Sequence, residues 1–389
     1  MKILYLTISF FEGEGTLYQD LVNALTEHGH EVTIVRSTPF EQETKLIKRT
    51  EYLSILNVRT PNPFEQNVFK KALNQISLSA FFKFAIVKFL SDRKFDVILY
   101  ATPPVTLEKL ILFLKKKYIA KTFLMLKDIF PQNAVDLNFF SKNSLIYKYY
   151  RMKEKKYYEI SDFIGCMSHG NREYLLKHNR NIDKDKVLIF PNSISIKKLP
   201  EVLTRKYEEK VIFIFGGNLG KPQGIPFLLD VIEHLRDYNK AEFLIVGDGT
   251  ESRKIEERIE KSSLGNLRYS RNLPREEYER VLMEADVGLI CLDSHFTIPN
   301  IPSRFQAYLK LSKPVLAITD RNTDIRDMII DNECGWWVAS DDLLSTTRLI
   351  KKICENREDL VVKSRNCQKY LCRDFDVEGN VRILEDVLK

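Results

Sequence analysis

A glycine-rich loop in the second half of the sequence has the composition of a phosphate-binding turn. It reads GGNLGKPQG from Gly216 to Gly224, between an apolar run and a helical pattern. Glycine lets backbone N–H groups approach a ligand closely, a helix N-terminus favours negative charge, and Lys221 adds a cation. The spacing is neither G-x-G-x-x-G nor that of a P-loop, so it names no nucleotide by itself. A glycine turn without a ligand remains the alternative.

Two further loops have a similar character. VGDG, at 246–249, ends a buried run and forms a tight turn. Pro302-Ser303-Arg304 opens a helical stretch, where Ser303 can cap the helix through its side-chain oxygen and Arg304 can strengthen an anion site. Taken singly, these are a plain turn and a capped helix with a solvated arginine. Taken with the first loop, they predict recognition of a pyrophosphate without a metal ion.

No pattern in the sequence is typical of a metal site. Two Asp-x-Asp triplets exist, at 183–185 and 374–376, but a metal-binding pair should close an apolar strand. The first triplet lies in a charged loop, and the second precedes the final helix. The six cysteines are scattered without a C-x-x-C pair, which favours reduced, buried thiols in a cytoplasmic protein.

Short apolar runs that alternate with helical patterns must position these loops. In the first half a helix is predicted at 16–28, and strands are predicted at 2–10, 31–37, 95–102, 121–128, 163–168 and 186–192. After a polar stretch at 193–209 the pattern restarts, with strands at 210–217, 241–249, 266–272, 287–293, 314–320 and 334–338. Continuous apolar strands that alternate with helices indicate a doubly wound parallel sheet. The sequence therefore predicts an α/β protein of two Rossmann-like domains, 1–195 and 196–370, with the loops facing a cleft between them.

The charge of the chain favours phosphate-bearing partners. The formal net charge is +7 at pH 7, and lysines are bunched at 115–117, 153–156 and 197–198. The sequence has no helix-turn-helix, zinc-finger or aromatic–basic RNA-binding pattern, so nucleic acid is not an expected partner. The N-terminal MKILYLTISFFEGEG is interpreted as a first buried strand and not as a signal peptide, and no apolar run is long enough to span a bilayer.

Two apolar, lysine-bearing segments of the first half are candidates for contact with an anionic membrane. SLSAFFKFAIVKFLSDR, at 77–93, is a strongly apolar helix interrupted by Lys83 and Lys88, and LEKLILFLKKKYIAK follows at 107–121. Such surfaces can rest on anionic lipid. The alternative is that both helices pack on the first sheet while their lysines extend to solvent.

The ordered set of motifs resembles the retaining nucleotide-sugar glycosyltransferases of the GT-B fold, family four, and most nearly the bacterial branch that builds surface polysaccharides. GGNLGKPQG is similar to the G-N-x-G-x-x-Q-G loop of that branch, and IPSRFQAYLKLSKPVLA, at 301–317, to its I-P-S-K-x-x-E-Y-L-A-x-G-x-P-V-L-A element. VGDG, LPREEYERVLMEADVGL at 273–289, LKDIFPQNAVDL at 126–137, YYEISDFIGCMSHGNREYL at 157–175 and FPNSIS at 190–195 stand in the expected places. Each motif is weak alone, but their joint order is specific, and the resemblance covers nearly the whole chain.

The resemblance implies a donor site in the second domain and an acceptor site in the first. The donor would be a nucleoside diphosphate sugar carrying a hexosyl or N-acetylhexosaminyl group, with uridine the expected base, beside 272–273. A lipid-linked saccharide acceptor would enter near Glu14, Gly15, Thr16 and Asp128, at the inner face of the cytoplasmic membrane. A final helix at 371–389 would cross back to the first domain. The implied donor-binding residues are Gly217, Asn218, Lys221, Gln223, Gly247, Asp248, Leu273, Asn300, Ile301, Pro302, Ser303 and Arg304.

The implied chemistry is electrostatic and needs no cofactor. The departing diphosphate gains charge in the transition state, and backbone N–H groups, Lys221 and Arg304 would stabilise it. The acceptor hydroxyl would attack from the side of the leaving group, which gives retention, while a phosphate oxygen helps to take its proton. Asp128 would orient the acceptor, although a helix cap at a strand–helix junction is the alternative role. His169 is a further candidate for the cleft, with a turn histidine as the alternative.

The sequence departs from the family pattern at the ribose. The motif glutamate behind I-P-S-K, which grips the ribose hydroxyls, is replaced by Ala307, and the acidic position eight residues upstream is Pro299. Losing such a charge-assisted pair costs on the order of 1.5–3 kcal/mol of donor binding. Either Asp248 or Asn300 holds the ribose instead, or the nucleotide binds differently, or activity is weak. Ser312 also stands where the motif has glycine.

These departures keep a second class of function open. A GT-B protein with a degenerate donor site would act as a binding or regulatory partner. A dinucleotide-dependent oxidoreductase is disfavoured, because the loop after the first strand has GEGT where such enzymes have G-x-G-x-x-G. Saturable binding of uridine diphosphate would distinguish a transferase from a degenerate protein.

Overall fold

A computed structural model of the chain describes residues 1–12, 17–65, 68–197, 199, 210–271 and 273–388. The chain divides into two compact units. Unit 1 combines residues 1–195 with residues 376–389, and unit 2 comprises residues 196–375. Unit 2 ends at 375 and not at the sequence-predicted 370, because the helix Arg357–Asp374 runs through that position without a break.

Unit 1 is built on an eight-stranded sheet. Its elements, in chain order, are strand β1 (Lys2–Thr7), helix α1 (Leu17–Glu27), strands β2 (Glu31–Ser37), β3 (Lys45–Lys48) and β4 (Leu53–Val58), helix α2 (Val68–Phe89), strand β5 (Val97–Ala101), helix α3 (Glu108–Tyr118), strand β6 (Lys121–Leu126), helices α4 (Gln132–Asp136) and α5 (Leu145–Ile160), strand β7 (Phe163–Cys166), helix α6 (His169–His178) and strand β8 (Val187–Ile189). The strand order is β3-β4-β2-β1-β5-β6-β7-β8. Neighbouring strands pair in parallel, except β3, which is antiparallel to β4.

The central strands of unit 1 are apolar along most of their length because helices cover both faces of the sheet. In β1 every residue after Lys2 is buried, and in β6 every residue after Lys121 is buried. Continuous burial of this kind is what a parallel sheet in a doubly wound fold requires. The apolar runs that predicted these strands are therefore core residues.

The sequence patterns do not predict β3 and β4. β3 is an edge strand with exposed ends at Lys45 and Lys48, so it carries no buried apolar run. β4 is buried but contains the polar residues Ser54 and Asn57. The Oδ1 atom of Asn57 accepts a hydrogen bond of 2.8 Å from Arg36 Nε. The partner of this polar strand residue lies on β2, a pairing that local patterns cannot reveal.

Unit 2 is built on a six-stranded, all-parallel sheet. Its elements are strand β9 (Val211–Gly216), helix α7 (Ile225–His234), strand β10 (Ala241–Val246), helix α8 (Ser252–Ser262), strand β11 (Leu267–Ser270), helix α9 (Arg275–Glu284), strand β12 (Val287–Cys291), helix α10 (Arg304–Lys310), strand β13 (Val315–Thr319), helix α11 (Ile325–Asp331), strand β14 (Gly335–Ala339) and helices α12 (Leu343–Glu355) and α13 (Arg357–Asp374). The strand order is β11-β10-β9-β12-β13-β14. Two parallel-sheet α/β units confirm the predicted fold class.

The winding of unit 2 reverses between β9 and β12. The chain proceeds outward from β9 to β10 and β11, and then outward on the other side from β12 to β13 and β14. In open parallel sheets, ligands bind outside the carboxyl ends of the strands at such a reversal. The topology therefore places the expected ligand position at the loops that follow β9 and β12.

The last helix, α14 (Val377–Leu388), belongs to unit 1 and packs on α1. His28 Nε2 lies 2.8 Å from Glu378, and His30 Nε2 lies 2.9 Å from Glu385. Asn380 Nδ2 donates a hydrogen bond of 2.9 Å to the carbonyl oxygen of Pro191, where the chain leaves unit 1. None of the helices in the described part of the chain is both long and apolar enough to cross a bilayer.

Candidate functional site

The three predicted loops follow β9, β10 and β12, which are neighbours in the sheet. Because the carboxyl ends of parallel strands meet at one edge, the loops lie together at the winding reversal. The amide of Leu219 donates to the carbonyl oxygen of Asp248 at 3.0 Å, and the carbonyl oxygen of Leu219 accepts from Glu251 N at 2.9 Å. Asp293 N donates to the carbonyl oxygen of Pro222 at 3.0 Å. The loops therefore form one connected surface.

Gly217 and Gly247 let two of these loops touch through their backbones. Gly247 has a φ of +154°, and a Cβ atom there would lie 1.8 Å from the carbonyl oxygen of Gly217. Gly217 has a φ of +123°, which residues with side chains rarely adopt. The glycines predicted from the sequence are thus required for the loop geometry, whether or not a ligand binds.

Arg304 lies beside Gly217 at the first position of α10. Its guanidinium carbon lies 4.2 Å from the ring centre of Phe215, the penultimate residue of β9. A Cβ atom on Gly217 would lie 3.5 Å from Arg304 Nη2. The ring of Phe215 therefore holds the guanidinium in place by a cation–π contact, next to the bare backbone of Gly217.

Among the residues that the structure describes, Arg304 has no carboxylate counter-ion. Nη1 is buried and donates to no acceptor among the described residues. Burial lowers the pKa of Arg304, and the groups that favour its charged form are Tyr308, Cys291 and Tyr278, none of them a carboxylate. A buried cation without a partner is costly, so it is expected where an anionic ligand supplies the missing charge.

Two tyrosines that the sequence patterns missed fix the end of β9. Tyr308 Oη lies 3.1 Å from the carbonyl oxygen of Ile214 and 3.2 Å from that of Leu289, and it accepts a hydrogen bond from Gly216 N at 3.3 Å. A Cβ atom on Gly216 would lie 2.1 Å from Tyr278 Oη. These contacts join α9 and α10 to β9, so they depend on tertiary packing that local sequence patterns do not encode.

The predicted helix cap at Ser303 is wrong. Ser303 occupies the N-cap position of α10 with helical backbone angles (φ −61°, ψ −20°), and its side chain makes no capping hydrogen bond. The residue is exposed, whereas Ile301 is buried. The turn is closed instead by the backbone, since Phe305 N donates to the carbonyl oxygen of Pro302 at 3.0 Å. The hydroxyl of Ser303 is therefore not used by the helix.

The other predicted residues of the loop after β9 lie near its surface. Lys221 is exposed and begins a short 3-10 turn, Lys221–Gln223. Asn218 is exposed, and its Nδ2 atom would lie 2.8 Å from a Cβ atom on Gly220. The Oε1 atom of Gln223 is buried and accepts no hydrogen bond from the described residues. The loop thus offers an exposed cation and an unsatisfied acceptor.

Asp248 and Asn300, the two candidates for holding a ribose, are each partly engaged. Ser252 Oγ and Gly249 N both donate to Asp248 Oδ1 at 2.8 Å, and these bonds lower the pKa of Asp248. Thr323 Oγ1 donates to the carbonyl oxygen of Asn300 at 3.1 Å. Asp248 therefore commits one carboxylate oxygen to its own turn, and Asn300 is held through its backbone.

The two positions where the family pattern has carboxylates differ in their exposure to solvent. Ala307 is exposed on α10, whereas Pro299 is buried. The neighbouring Gln306 is fully buried, and neither of its amide atoms has a hydrogen-bond partner among the described residues. Leu273 is half-buried ahead of α9, and Asn272 lies outside the described residues. A side chain added at Ala307 would project from the surface of α10.

Asp128 lies in unit 1 between β6 and α4, and it does not cap the helix, whose N-cap position is Pro131. Thr102 Oγ1 donates to the carbonyl oxygen of Asp128 at 3.1 Å and so holds the loop. Burial raises the pKa of Asp128 to about 6, although a hydrogen bond from Asn133 to its carboxylate opposes this shift. A carboxylate with such a pKa can accept or release a proton near neutral pH.

The remaining acceptor-side prediction cannot be placed. Glu14, Gly15 and Thr16 lie outside the described residues. Next to Asp128, however, the structure identifies Lys127, which the sequence patterns did not single out. Burial lowers the pKa of Lys127 to about 7, and its Nζ atom lies 5.6 Å from the ring centre of Phe190.

The Asp-x-Asp triplets have local roles. Asp183 Oδ1 accepts a hydrogen bond of 3.0 Å from Asp185 N and caps a 3-10 turn, and Asp376 Oδ1 lies 3.3 Å from the amide of Glu378. His169 is the exposed first residue of α6. In the described part of the chain, no three or more His, Cys, Asp or Glu side chains are grouped to hold a metal ion.

Comparison with known protein families assigns both halves of the chain. Residues 202–370 match the family model "Glycosyl transferases group 1", and residues 11–198 match the model "Glycosyltransferase Family 4". The chain is a two-domain glycosyltransferase. The probable glycosyltransferase WbjE of Pseudomonas aeruginosa is 27% identical to this glycosyltransferase over 304 residues, which cover 76% of the chain and 74% of WbjE.

Solved structures with low sequence identity share the fold of this glycosyltransferase. Sucrose-phosphate synthase from Thermosynechococcus elongatus superimposes with a TM-score of 0.77 at 15% identity, covering 99% of this chain and 98% of that one. Anabaena HepE in complex with UDP-glucose gives 0.68 at 13% identity, and WaaG, a glycosyltransferase involved in lipopolysaccharide biosynthesis, gives 0.70 at 13% identity. Each of the latter two covers 100% of this chain and 99% of its own. The fold is GT-B.

Proposed function

We propose that this glycosyltransferase moves a hexosyl or N-acetylhexosaminyl group from a uridine diphosphate sugar to a growing, lipid-linked surface polysaccharide, with retention at the anomeric carbon. The observation that carries the proposal is the guanidinium of Arg304, which lies beside Gly217 at the winding reversal with a buried nitrogen that has no acceptor. The leaving group of a nucleoside diphosphate sugar is an anion, and it would supply that acceptor.

The charge of Arg304 and the bare backbone of Gly217 support a diphosphate as the ligand of this site. Gly217 has no side chain to keep phosphate oxygens from the backbone, and Arg304 offers a cation whose Nη1 atom is already buried. Lys221, exposed in the same loop, is a second cation. Charge-assisted hydrogen bonds of this kind are roughly twice as strong as neutral ones. The UDP-glucose bound by HepE supports uridine as the base.

The proposed catalysis is electrostatic stabilisation of the leaving group without a metal ion. Negative charge develops on the diphosphate as the bond to the sugar breaks, and fixed donors aimed at that charge lower the barrier. Phe215 holds the guanidinium of Arg304 at a fixed position, so little reorganisation is needed during the reaction. Arg304, Lys221 and the backbone of the glycine loop would together take the place of a divalent cation.

Asp128 is the proposed acceptor-orienting residue of unit 1. Its carboxylate ionises near pH 6, so it can accept a hydrogen bond from a sugar hydroxyl at neutral pH. Retention requires the acceptor to attack from the face that the diphosphate leaves. A phosphate oxygen would then take the proton, and Asp128 would hold the hydroxyl in position.

The acceptor is proposed to be lipid-linked and to be reached at an anionic membrane surface. WaaG, which shares the fold, takes part in lipopolysaccharide biosynthesis. Helix α2 exposes apolar side chains to solvent, including Phe81 (41%) and Phe84 (72%). Lys83 Nζ lies 4.3 Å from the ring centre of Phe113 on α3, so it accompanies this apolar surface. Apolar side chains with adjacent lysines suit the interface of an anionic bilayer.

The test of the donor is turnover of a nucleotide-sugar library in EDTA, followed as released nucleoside diphosphate with membrane lipid extract as the acceptor source. We expect release from a uridine diphosphate sugar, and an unchanged anomeric configuration in the product by NMR. Arg304→Met should abolish the release. Release from no donor in the library, with or without added Mg²⁺, would contradict the proposed function.

The test of the membrane is sedimentation with anionic and neutral liposomes at low salt. We expect binding to the anionic liposomes only, and weaker binding for Phe84→Glu. The matched control is Phe40→Glu, because Phe40 is 88% exposed on unit 1 but lies outside α2. If the two variants bind the anionic liposomes equally, or if the native chain does not bind them, α2 is not a membrane-binding surface.

The alternative of a degenerate GT-B protein that acts only as a binding partner is not favoured. Both halves of the chain match glycosyltransferase models. Ala307 leaves an exposed position on α10, so the family carboxylate is missing while the surface around it is open. This difference predicts weaker binding of the ribose, but it does not remove the diphosphate site.

A further inference from the structure

A cavity of about 220 Å³ lies within unit 1, between α4, α5 and α6. We call it the α5–α6 cavity; its lining includes Gln132, Lys142, Tyr147, Arg151, Glu154 and Tyr174. One wall includes Ile129, the residue that follows Asp128 in the chain. The volume is below the roughly 300–1,000 Å³ of drug-sized ligand sites. A cavity of this size suits a ligand smaller than those, such as a single sugar ring.

The charges of Arg151 and Glu154 in the wall of the α5–α6 cavity compensate each other. Arg151 Nη1 lies 2.5 Å from Glu154 Oε2, and Tyr158 Oη donates to Glu154 Oε1 at 2.6 Å. Arg151 Nη2 donates to Asn179 Oδ1 at 2.6 Å. Because the arginine and the glutamate neutralise each other, and the remaining lining lysine, Lys142, is exposed to solvent, the cavity does not call for an ionic ligand. Arg304 in unit 2, whose Nη1 is unpaired, is the opposite case.

Two hydroxyl groups that line the α5–α6 cavity are open to a ligand. The phenol oxygens of Tyr147 and Tyr174 make no hydrogen bond with any described residue, although both side chains line the cavity. Burial, together with the charges of Asp136 and Glu154, raises the pKa of Tyr174, so its hydroxyl stays protonated and can donate. Gln132 Nε2 is already committed to Asp136 Oδ1 at 2.7 Å. The groups of this wall that remain open to a ligand are therefore the two neutral phenol hydroxyls.

We propose that the α5–α6 cavity binds one neutral sugar unit of the acceptor. Aromatic faces pack against the C–H face of a pyranose ring, and phenol hydroxyls exchange hydrogen bonds with its hydroxyls. The wall at Ile129 connects the cavity to the loop of Asp128, so a sugar in the cavity would belong to the same chain as the attacking unit. The identification of this sugar as part of the acceptor rests on the proposed function, whereas the binding itself does not.

The experiment is saturation-transfer NMR on the full chain with methyl glycosides of glucose, galactose, mannose and N-acetylglucosamine, and with inorganic phosphate as a competitor. We expect saturable binding of at least one glycoside, unaffected by phosphate. Tyr147→Phe and Tyr174→Phe should each weaken binding about twofold to tenfold, the value of one neutral hydrogen bond. The matched control is Tyr149→Phe, because Tyr149 lies on α5 outside the cavity lining and should bind as the native chain does.

Thermal unfolding of each variant, and calorimetric titration with uridine diphosphate on the same samples, separate the possible failures. No saturable binding of any glycoside, competition by phosphate, or unchanged binding by both Tyr147→Phe and Tyr174→Phe would overturn the inference. If the nucleotide binds while the glycosides do not, only the inference fails. If the glycosides bind at the cavity while no nucleoside diphosphate binds, the proposed donor fails and the sugar site stands.

Discussion

Replacing Arg304 by methionine separates binding from stability. Methionine keeps an apolar stem over Phe215 and removes the charge. Relief of a buried, unsatisfied group is worth about 1–3 kcal/mol, and loss of the cation–π contact costs about 0.5–2 kcal/mol. The two nearly cancel, so the free energy of unfolding without ligand should change by less than about 1 kcal/mol. Each charge-assisted bond to a phosphate contributes about 1.5–3 kcal/mol, which predicts uridine diphosphate binding weakened about 10- to 150-fold.

The assay combines calorimetric titration of uridine diphosphate with denaturant unfolding. The matched control is Arg326→Met in the same unit, because the guanidinium carbon of Arg326 lies 4.9 Å from the ring centre of Trp337 in a similar stacked arrangement. This control should bind the nucleotide as the native chain does. If Arg304→Met instead lowers the free energy of unfolding by more than about 2 kcal/mol and leaves binding unchanged, Arg304 is a structural residue and not a ligand for the diphosphate.

Three further predictions concern single positions. Ala307→Glu should tighten uridine diphosphate binding in calorimetry by about tenfold or more, and Ala307→Gln is the uncharged control. If Ala307→Glu tightens binding of an analogue that lacks both ribose hydroxyls by the same factor, the new carboxylate does not contact the ribose. The raised pKa of Asp128 means that its ionisation opposes folding, so its contribution to stability is greatest below about pH 4 and is lost as the pH rises through about 6. In denaturant unfolding, Asp128→Asn should remove this dependence of stability on pH, and in the activity assay it should remove the step near pH 6. If the activity step persists in Asp128→Asn, this residue does not cause it. Gly247→Ala should destabilise unit 2 by several kcal/mol in thermal unfolding, because its Cβ would overlap the backbone of Gly217. The control is Gly265→Ala, which should not destabilise the unit, because a Cβ there would have no neighbour within 4 Å. Equal effects of the two substitutions would refute the close approach of Gly247 to Gly217.

Buried parallel strands were the part of the fold that the sequence revealed best. Strands such as β1 and β6 are covered on both faces, so most of their consecutive residues are apolar, and this run is visible in the local sequence. The sequence patterns do not predict β3, because an edge strand needs no such run. They do not predict β4 because it contains the polar residue Asn57, whose hydrogen bond comes from Arg36 on a neighbouring strand. Polar residues inside a strand are explained only by the tertiary partners they meet.

The site was predictable in its location but not in its contacts. Loops after parallel strands must meet at one edge, so the glycine loop and Arg304 could be placed together from the sequence. The stacking of Arg304 on Phe215 depends on how α10 packs against β9, which no local pattern encodes. Ser303 illustrates the converse error, because a residue type that favours capping was predicted to cap, while the backbone closes the turn by itself. The shifted pKa of Asp128 is likewise a product of burial by distant segments.

The proposed function requires that unit 2 binds a diphosphate through Arg304 and the backbone of the glycine loop, without a metal ion. The most direct measurement is calorimetric titration of the native chain with uridine diphosphate and uridine monophosphate in excess EDTA. We predict saturable binding of the diphosphate, tighter than the monophosphate by about tenfold or more, since the second phosphate adds at least one charge-assisted bond. Equal affinity for the two nucleotides, or binding that appears only when Mg²⁺ is restored, would contradict the claim.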